Sequence, residues 1–578
     1  MPAARLSPRA SRVPARRGPR LSRLAPLAGL ALVALVAGAL IGQRHEPPGR
    51  AVALKWAEAW SRGDYPAMHA LLTERARRRA SLERFQRTYR RANDTLTVQR
   101  ITARGPRESG EEGSFVMPVR FQTRVFGRLS GRLRLPVVED GDGAGVDWRS
   151  PLVYPGLRSG EKLTRETTLS ERGDILARDG TALAEGPARI SAVGALAADV
   201  VGTVGPAQEE RAEELARRGV PPGAPVGLNG LEREFDARLA GTPGGILRAG
   251  RRTIARTAPE RGQSVRSSID LEVQRAAVEA LAGRFGGVAA IKPATGEVLA
   301  LAGIAYSAPQ PPGSTFKIIT LAGALDGGVA KDSDSFPVET FTTLEGVRLE
   351  NANGEACGGS LKASFAESCN SVFAPIGAEL GAERLVATAT RFGFNETPTL
   401  AGAARSTIPA PEEIGDDLAV GSTAIGQGKV LTTPLQLASV AATIGLRGRR
   451  VFPTLSRGGH GKSVQAVEPK VARTIARYMR AVVTSGTGAG AAIPDARVAG
   501  KTGTAELRTT VKPQPAEPGA VATPVPEEDK TDTDAWFTAF APYDKPRVAV
   551  TVLLVGQGAG GETAAPAART VLEAALKR

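Results

Sequence analysis

The pattern of hydrophobic and polar positions changes period several times along the chain. Leu24 to Gly42 is an uninterrupted run of nineteen uncharged residues, long enough as a helix to cross ~30 Å of hydrocarbon. Arg5, Arg9, Arg12, Arg16, Arg17, Arg20 and Arg23 precede it. By the positive-inside rule, residues 1–23 then form a cytoplasmic basic tail and everything after Gln43 lies outside. A cleaved signal peptide is the competing reading, because Ala37-Gly-Ala39 resembles a small-residue cleavage site. The length of the apolar run favours an anchor over 24–42. After a Pro-Gly tether, the pattern over 51–62 predicts an amphipathic helix with Trp56 and Trp60 on one face. An Arg-rich helical stretch follows to about residue 92. Period-two alternation then predicts strands at Phe115–Phe121 and Arg132–Val138, closing near Trp148.

These elements outline a small α+β module over residues 50–155. Residues 156–262 read as a second region, with a strand and tight turn at Arg172–Gly180 and a Gly turn opening a helix at Gly227–Phe235. From 263 to 578 strands and helices alternate. A strand at Ser264–Ile269, a helix from Asp270 and a hairpin of Gly287–Ile291 with Glu297–Leu301 are expected. Residues 508–533 hold five prolines among Thr, Glu and Asp, the composition of a flexible loop. The expected fold class is therefore multidomain α/β and α+β, behind one N-terminal transmembrane helix.

Composition changes that picture mainly by exclusion. The net charge of +16 suggests nucleic acid at first. Residues 1–50 and 74–107 each contribute +8, however, so residues 108–578 sum to zero. No nucleic-acid partner is expected. The eleven arginines of 74–107 are read either as a solvated helix face or as a patch for anionic headgroups or wall polymers. Two Cys and three scattered His do not supply the about four Cys/His ligands of a structural zinc site, and no metal is expected. A Ser-His-Asp hydrolase is excluded too, since only His460, in a Gly-rich loop, falls in the large C-terminal region. A serine nucleophile here needs another base.

Three short motifs supply one. Pro312-Gly-Ser314-Thr-Phe-Lys317 opens an apolar run, Ser368-Cys-Asn370 sits between helical stretches, and Lys501-Thr502-Gly503-Thr504 leads a strand. Pro312 and Gly313 mark a helix start, so Lys317, three residues on, shares a face with Ser314. Burial and the like charge of Lys501 both lower a lysine pKa, as a base acting near neutral pH requires. A lone Ser-x-x-Lys is weak, and Ser159-Gly-Glu-Lys162 is a decoy with no apolar helix behind it. The ordered set of three is specific.

With these motifs the chain resembles the class B penicillin-binding proteins, peptidoglycan D,D-transpeptidases that share motifs with the serine β-lactamases. Ala424-Ile-Gly-Gln-Gly-Lys429 with Thr433-Pro-Leu-Gln-Leu437, and Ala535-Trp-Phe537, support the likeness over 263–578, the transpeptidase domain. Residues 156–262 are similar to the family's dimerisation or pedestal domain, and 50–155 to the non-catalytic module of some low-affinity members. The resemblance implies Ser314 as acylated nucleophile and Lys317 as general base. It implies Ser368 as a proton relay, Asn370 on the substrate amide and Lys501 as electrostatic anchor. Thr502, Gly503 and Thr504 would bind the terminal carboxylate, and the N–H groups of Ser314 and Thr504 would form the oxyanion hole. The substrates implied are stem peptides ending in D-Ala-D-Ala, with β-lactams as covalent inhibitors and no cofactor. A membrane glycosyltransferase is the implied partner, and the cell membrane, with the catalytic domain outside, the implied location.

The alternatives weigh less. The pairing of a deacylating Glu with an Asn four residues on fails here, because Asn395 is the one Asn between 371 and 500 and position 391 is Arg. A D,D-carboxypeptidase shares the acylation step and stays open, as does a non-catalytic β-lactam receptor. Cys357 and Cys369, the two cysteines, lie on the oxidising side of the expected anchor, and a disulfide between them is expected. The alternative is a pair of buried thiols.

Overall fold

The computed structural model describes residues 48–109, 113–140, 143–506 and 533–577. The expected tail at 1–23, the expected anchor at 24–42 and all but the last residue of the Pro-rich 508–533 segment lie outside the described residues. Among the described residues no helix is long and apolar enough to cross a membrane. The chain divides into two compact units near residue 163.

In the N-terminal unit, helix α1 (Pro48–Arg62) carries Trp56 and Trp60 four residues apart, hence on one face. Both rings are buried: Trp56 meets Phe85 edge-on at 6.1 Å, and Trp60 meets Tyr89 at 6.0 Å and Phe121 at 5.8 Å. The expected Arg-rich helical stretch consists of two helices. Glu74–Arg79 ends at Ala80, and α2 (Leu82–Leu96) restarts behind Ser81, whose hydroxyl caps the Arg84 N–H. Helix α2 buries Phe85, Tyr89, Ala92 and Leu96 at helical spacing. Against these helices lies an antiparallel sheet in the order β1 (Val98–Ala103), β2 (Ser114–Thr123), β3 (Arg128–Asp140), β4 (Gly143–Val146). Phe115, Met117, Val119 and Phe121 of β2 point inward, as a period of two requires.

The second unit begins with the pedestal. The expected strand at Ser264–Ile269 is only Val265–Arg266, paired in parallel with Ile175–Leu176. Its remainder is diverted because Ser268 donates to the Val298 carbonyl and its N–H to Leu455. Glu232 and Asp236, each 1% exposed, face four guanidinium groups. Arg172 reaches Glu232 at 2.6 Å and Asp236 at 3.0 Å, and Arg189 reaches Glu232 at 2.6 Å. Arg211 and Arg218 reach Asp236 at 3.1 and 2.9 Å.

The transpeptidase-like part of this unit is built on a five-stranded antiparallel sheet. Its elements are α3 (Leu271–Leu281), β5 (Gly286–Lys292), β6 (Glu297–Gly303), α4 (Lys317–Asp326), α5 (Asn370–Leu380), α6 (Pro434–Gly445), α7 (Pro469–Ser485), β7 (Ala499–Glu506), β8 (Thr533–Ala541), β9 (Val548–Leu554) and α8 (Ala564–Leu576). The strand order is β6-β5-β9-β8-β7. Helices α3 and α8 cover one face, burying Val273, Ala277, Ala568 and Leu572 against Val288, Val550 and Val552. Helix α6 covers the other face. Burial on both faces explains why β9 reads as a nearly unbroken apolar run, Val-Ala-Val-Thr-Val-Leu-Leu. The outermost strand, β7, keeps an open edge, and the site forms there.

The pedestal cluster yields a test. Burial pushes the Asp236 carboxyl up, but the Gly227 N–H and the guanidinium groups of Arg218 and Arg172 outweigh it and hold it below the usual carboxylate range. A depressed carboxyl stabilises above its unfolded pKa of ~3.9, and that share is lost as pH falls. Asp236→Ala removes the carboxylate that three buried arginines share, leaving Arg172 with Glu232, and Arg211 and Arg218 with the half-exposed Glu214, and should cost about 3 kcal/mol. Denaturant melts should show a lower midpoint at pH 7, with the difference from the unsubstituted chain narrowing towards pH 3.

Candidate active site

Steric constraint fixes the Ser314 turn. Gly313 has φ +51° and donates its N–H to the Gly426 carbonyl at 3.0 Å. A Cβ on Gly313 would lie 2.6 Å from the Thr504 carbonyl, and one on Gly426 would lie 1.8 Å from the Gly313 carbonyl. The turn is thus pressed between the edge of β7 and the 424–429 segment, where only glycine fits. Gly313–Phe316 is a 3₁₀ turn rather than the first turn of an α-helix, and α4 starts at Lys317. Three residues per turn eclipse positions i and i+3, which stacks Lys317 on Ser314.

Lys317 Nζ lies 3.0 Å from Ser314 Oγ, 2.6 Å from the Ser368 carbonyl oxygen, 2.7 Å from Asn370 Oδ1 and 3.3 Å from Ser368 Oγ. The carbonyl and the amide oxygen can only accept. Asn370 is fixed in that sense because its Nδ2 donates to the Glu350 carbonyl at 2.8 Å. Two N–H groups of a neutral amine satisfy these two acceptors, leaving its lone pair for the Ser314 hydroxyl. Lys501 Nζ donates to Ser368 Oγ at 2.8 Å and to the Thr502 carbonyl at 3.1 Å. Ser368 therefore stands between two amines, on a backbone at φ +66°, a costly conformation for a residue with a Cβ.

Both lysines are fully buried, under the rings of Phe373 and Phe365 respectively. Burial first, then the like charge of Lys501, pushes the Lys317 amine well below the ordinary lysine range. Burial lowers Lys501 to about 7, opposed by the Glu367 carboxylate. Ser314 itself is only half-buried. The decoy pair Ser159 and Lys162 is exposed in a turn, away from any such arrangement.

The Lys501–Thr504 motif lies inside β7 rather than leading it, paired from Lys501↔Thr538 to Thr504↔Ala535. Thr502 Oγ1 is 2.6 Å from Thr487 Oγ1, and Thr504 Oγ1 accepts the Gly560 N–H at 3.4 Å. A Cβ on Gly503 would sit 2.9 Å from the Pro312 carbonyl, so β7 approaches the serine turn by its backbone. Cys357 and Cys369 are disulfide-bonded, with Cα atoms 5.7 Å apart, tying the turn that presents Ser368 and Asn370 to the strand Cys357–Ser360. Among the described residues no group of His, Cys, Asp and Glu is placed to hold a metal ion.

Sequence reasoning missed the struts. Buried Asn351 donates to the Glu339 and Glu355 carbonyls at 2.7 and 3.0 Å and accepts the Ser371 N–H at 2.8 Å. This holds Glu350 where its carbonyl orients Asn370. Thr487, the partner of Thr502, was missed as well. Neither sits in a spacing that signals chemistry; Asn351-Ala-Asn-Gly354 reads only as a turn.

With this geometry described, the comparisons with known proteins converge. The family model described as penicillin binding protein transpeptidase domain matches residues 286–573, the penicillin-binding protein dimerisation domain residues 184–266, and the NTF2-like N-terminal transpeptidase domain residues 49–161. The chain belongs to the penicillin-binding proteins. It is 32% identical over 415 residues to the peptidoglycan D,D-transpeptidase PbpA of Mycolicibacterium smegmatis, covering 60% of this chain and 79% of that one. A ceftriaxone acyl-enzyme structure of penicillin-binding protein A from M. tuberculosis is 28% identical with a TM-score of 0.54, covering 70% of this chain and 98% of that chain. Pseudomonas aeruginosa PBP2 in complex with WCK 5153 is 26% identical with a TM-score of 0.59, covering 72% and 97%.

The Asn351 strut makes a prediction. Asn351→Ala frees the Ser371 N–H and the loop carrying Glu350, letting the Asn370 amide turn away from Lys317. Acylation of the chain by a labelled β-lactam should slow by about tenfold, the size expected for losing one positioning hydrogen bond. Stopped-flow kinetics on the purified variant reads the change; an unaltered rate would remove Asn351 from the account.

Proposed function

We propose that the chain is a peptidoglycan D,D-transpeptidase that cross-links stem peptides through an acyl-enzyme on Ser314 and is acylated there by β-lactams. The observation that carries this is the buried amine of Lys317, its nitrogen 2.6 and 2.7 Å from two obligate acceptors and 3.0 Å from Ser314 Oγ. Lys317 takes the hydroxyl proton as Ser314 Oγ attacks the carbonyl between the two D-alanines. The N–H groups of Ser314 and Thr504 stabilise the tetrahedral oxyanion. As the C–N bond breaks, the departing D-alanine amine receives a proton through Ser368 Oγ, which Lys501 supports at 2.8 Å. The amine of a second stem peptide then attacks the ester, gives up its proton to the same network and releases Ser314. Water in place of that amine makes the reaction a carboxypeptidation, the side activity open to any such site. Asn370 orients the substrate amide, and Lys501, Thr502 and Thr504 bind the terminal carboxylate beside Gly503, where a side chain would collide with the serine turn. No cofactor or metal enters any step.

We read the apolar run at 24–42 as a single-pass membrane anchor, with the catalytic domain outside. Seven preceding arginines support the orientation. The glycan strands to be cross-linked must come from a polymerising enzyme, and a membrane glycosyltransferase is the partner this reading calls for.

Mass spectrometry after penicillin treatment should place one adduct, on Ser314. Ser314→Ala should abolish it, and Lys317→Ala should slow acylation roughly a thousandfold. Because Lys317 is held low, the acylation rate should rise with pH and level off well below the ~10.4 of a free lysine. A rate still climbing steeply through that range would contradict the assignment.

A further inference from the structure

The register of the N-terminal sheet sorts its arginines by face. Odd positions of β2 turn inward, so its even positions and their cross-strand partners share the outer face. Val116 pairs with Arg107 and Arg134, Pro118 with Arg132, Arg120 with Thr102 and Ser130, and Gln122 with Arg100 and Arg128. Six exposed arginines thus occupy four successive rungs of one face, and no rung contains Asp or Glu. On the helices Arg78, Arg79 and Arg87 pair with Glu74, Asp147 and Glu83; on the sheet face the argument rests on Arg100, Arg107, Arg120, Arg128 and Arg132, which still span all four rungs without Arg134. Like charges side by side on a sheet repel, and a surface of opposite charge relieves that repulsion.

We propose that this arginine face docks on the anionic phosphate headgroups of the bilayer, holding the module flat against the membrane. The inference rests on reading 24–42 as an anchor. Five residues separate Gly42 from Pro48, a reach of at most ~20 Å over six Cα–Cα steps. The chain also enters the module at the end of the sheet nearest Arg107 and Arg134: a Cβ on Gly49 would lie 2.9 Å from the Phe115 ring and 3.3 Å from Val137. Entry point and arginine face are then only a sheet's thickness apart, about 10 Å. Four rungs across three strands give a charged area of about 20 by 10 Å. A two-dimensional array of this kind suits a plane of headgroups better than a single file of phosphates.

The test uses the full chain, reconstituted in phosphatidylcholine vesicles with or without about one-third phosphatidylglycerol. Ser130 is exposed on the same face, and the two native cysteines are bonded to each other, so a fluorophore on Ser130→Cys can transfer energy to a headgroup-labelled lipid. Transfer should be high with phosphatidylglycerol and fall in phosphatidylcholine alone, in high salt, and in an R120E/R128E/R132E background. That triple reversal should shift the docked-to-undocked ratio by about a hundredfold or more, while β-lactam labelling of Ser314 stays unchanged and reports an intact fold. Equal transfer in both lipids, or in the triple variant, would overturn the proposal. So would binding of a soluble poly(glycerol phosphate) through these arginines without any response to lipid, which would assign the face to a wall polymer. Carbonate extraction reports on the anchor separately. If it releases the chain, the anchor reading fails, and the face is judged by co-sedimentation with the same vesicles: arginine-dependent binding to phosphatidylglycerol supports it, and none overturns it.

Discussion

Two buried lysine amines lie on either side of a single serine hydroxyl that bridges them. Removing an ammonium from water costs several kcal/mol unless it is paired, and a second positive charge beside it raises that cost. Lys317 and Lys501 are both fully buried, with Ser368 Oγ 3.3 Å from one and 2.8 Å from the other. The arrangement is affordable only if Lys317 gives up its proton. The surrounding geometry follows from that requirement. Two obligate acceptors absorb its N–H groups, an αL turn at Ser368 directs a carbonyl as well as a hydroxyl into the cleft, and Glu350 and Asn351 keep Asn370 from turning over. The disulfide at Cys369 joins that same turn to a neighbouring strand.

The pedestal handles buried charge in the opposite way. Glu232 and Asp236 lie among four arginines, and Asp236 stays ionised because Arg172, Arg211, Arg218 and the Gly227 N–H surround it. Pairing there lowers a carboxyl pKa and rigidifies a support, whereas burial without a carboxylate partner lowers a lysine pKa and makes a base. One chain thus places paired charge where it needs structure and under-paired charge where it needs reactivity, a division that matches the tendency of perturbed groups to gather at functional sites.

How much of this was legible in the sequence depends on whether the signal was local. Ser314 with Lys317, and Ser368 with Asn370, are short-range spacings, and their residue types announce the chemistry. The Trp56–Trp60 face and the alternation of β2 follow helical and strand periods just as directly. The sheet order β6-β5-β9-β8-β7 joins strands separated by more than two hundred residues, and no periodicity encodes it. The same holds for Asn351 and Thr487, which act through contacts fixed only once the chain has folded. The 3₁₀ turn at Gly313–Phe316 was read as α-helix because Pro-Gly marks a start without specifying the pitch; the close approach of Thr504 and Gly426 sets it. The break inside the Arg-rich helical stretch is not legible, because nothing in its charge pattern shows that Ser81 serves as a fresh cap.

The central claim concerns one proton. Neutron diffraction from deuterium-exchanged crystals of the unacylated protein near pH 8 would locate it. The account predicts two deuterons on Lys317 Nζ, directed at the Ser368 carbonyl and Asn370 Oδ1, with the Ser314 hydroxyl deuteron pointing at the nitrogen lone pair. Three deuterons on Lys317 Nζ, with none on the line from Ser314 Oγ to the nitrogen donated by the serine, would contradict it.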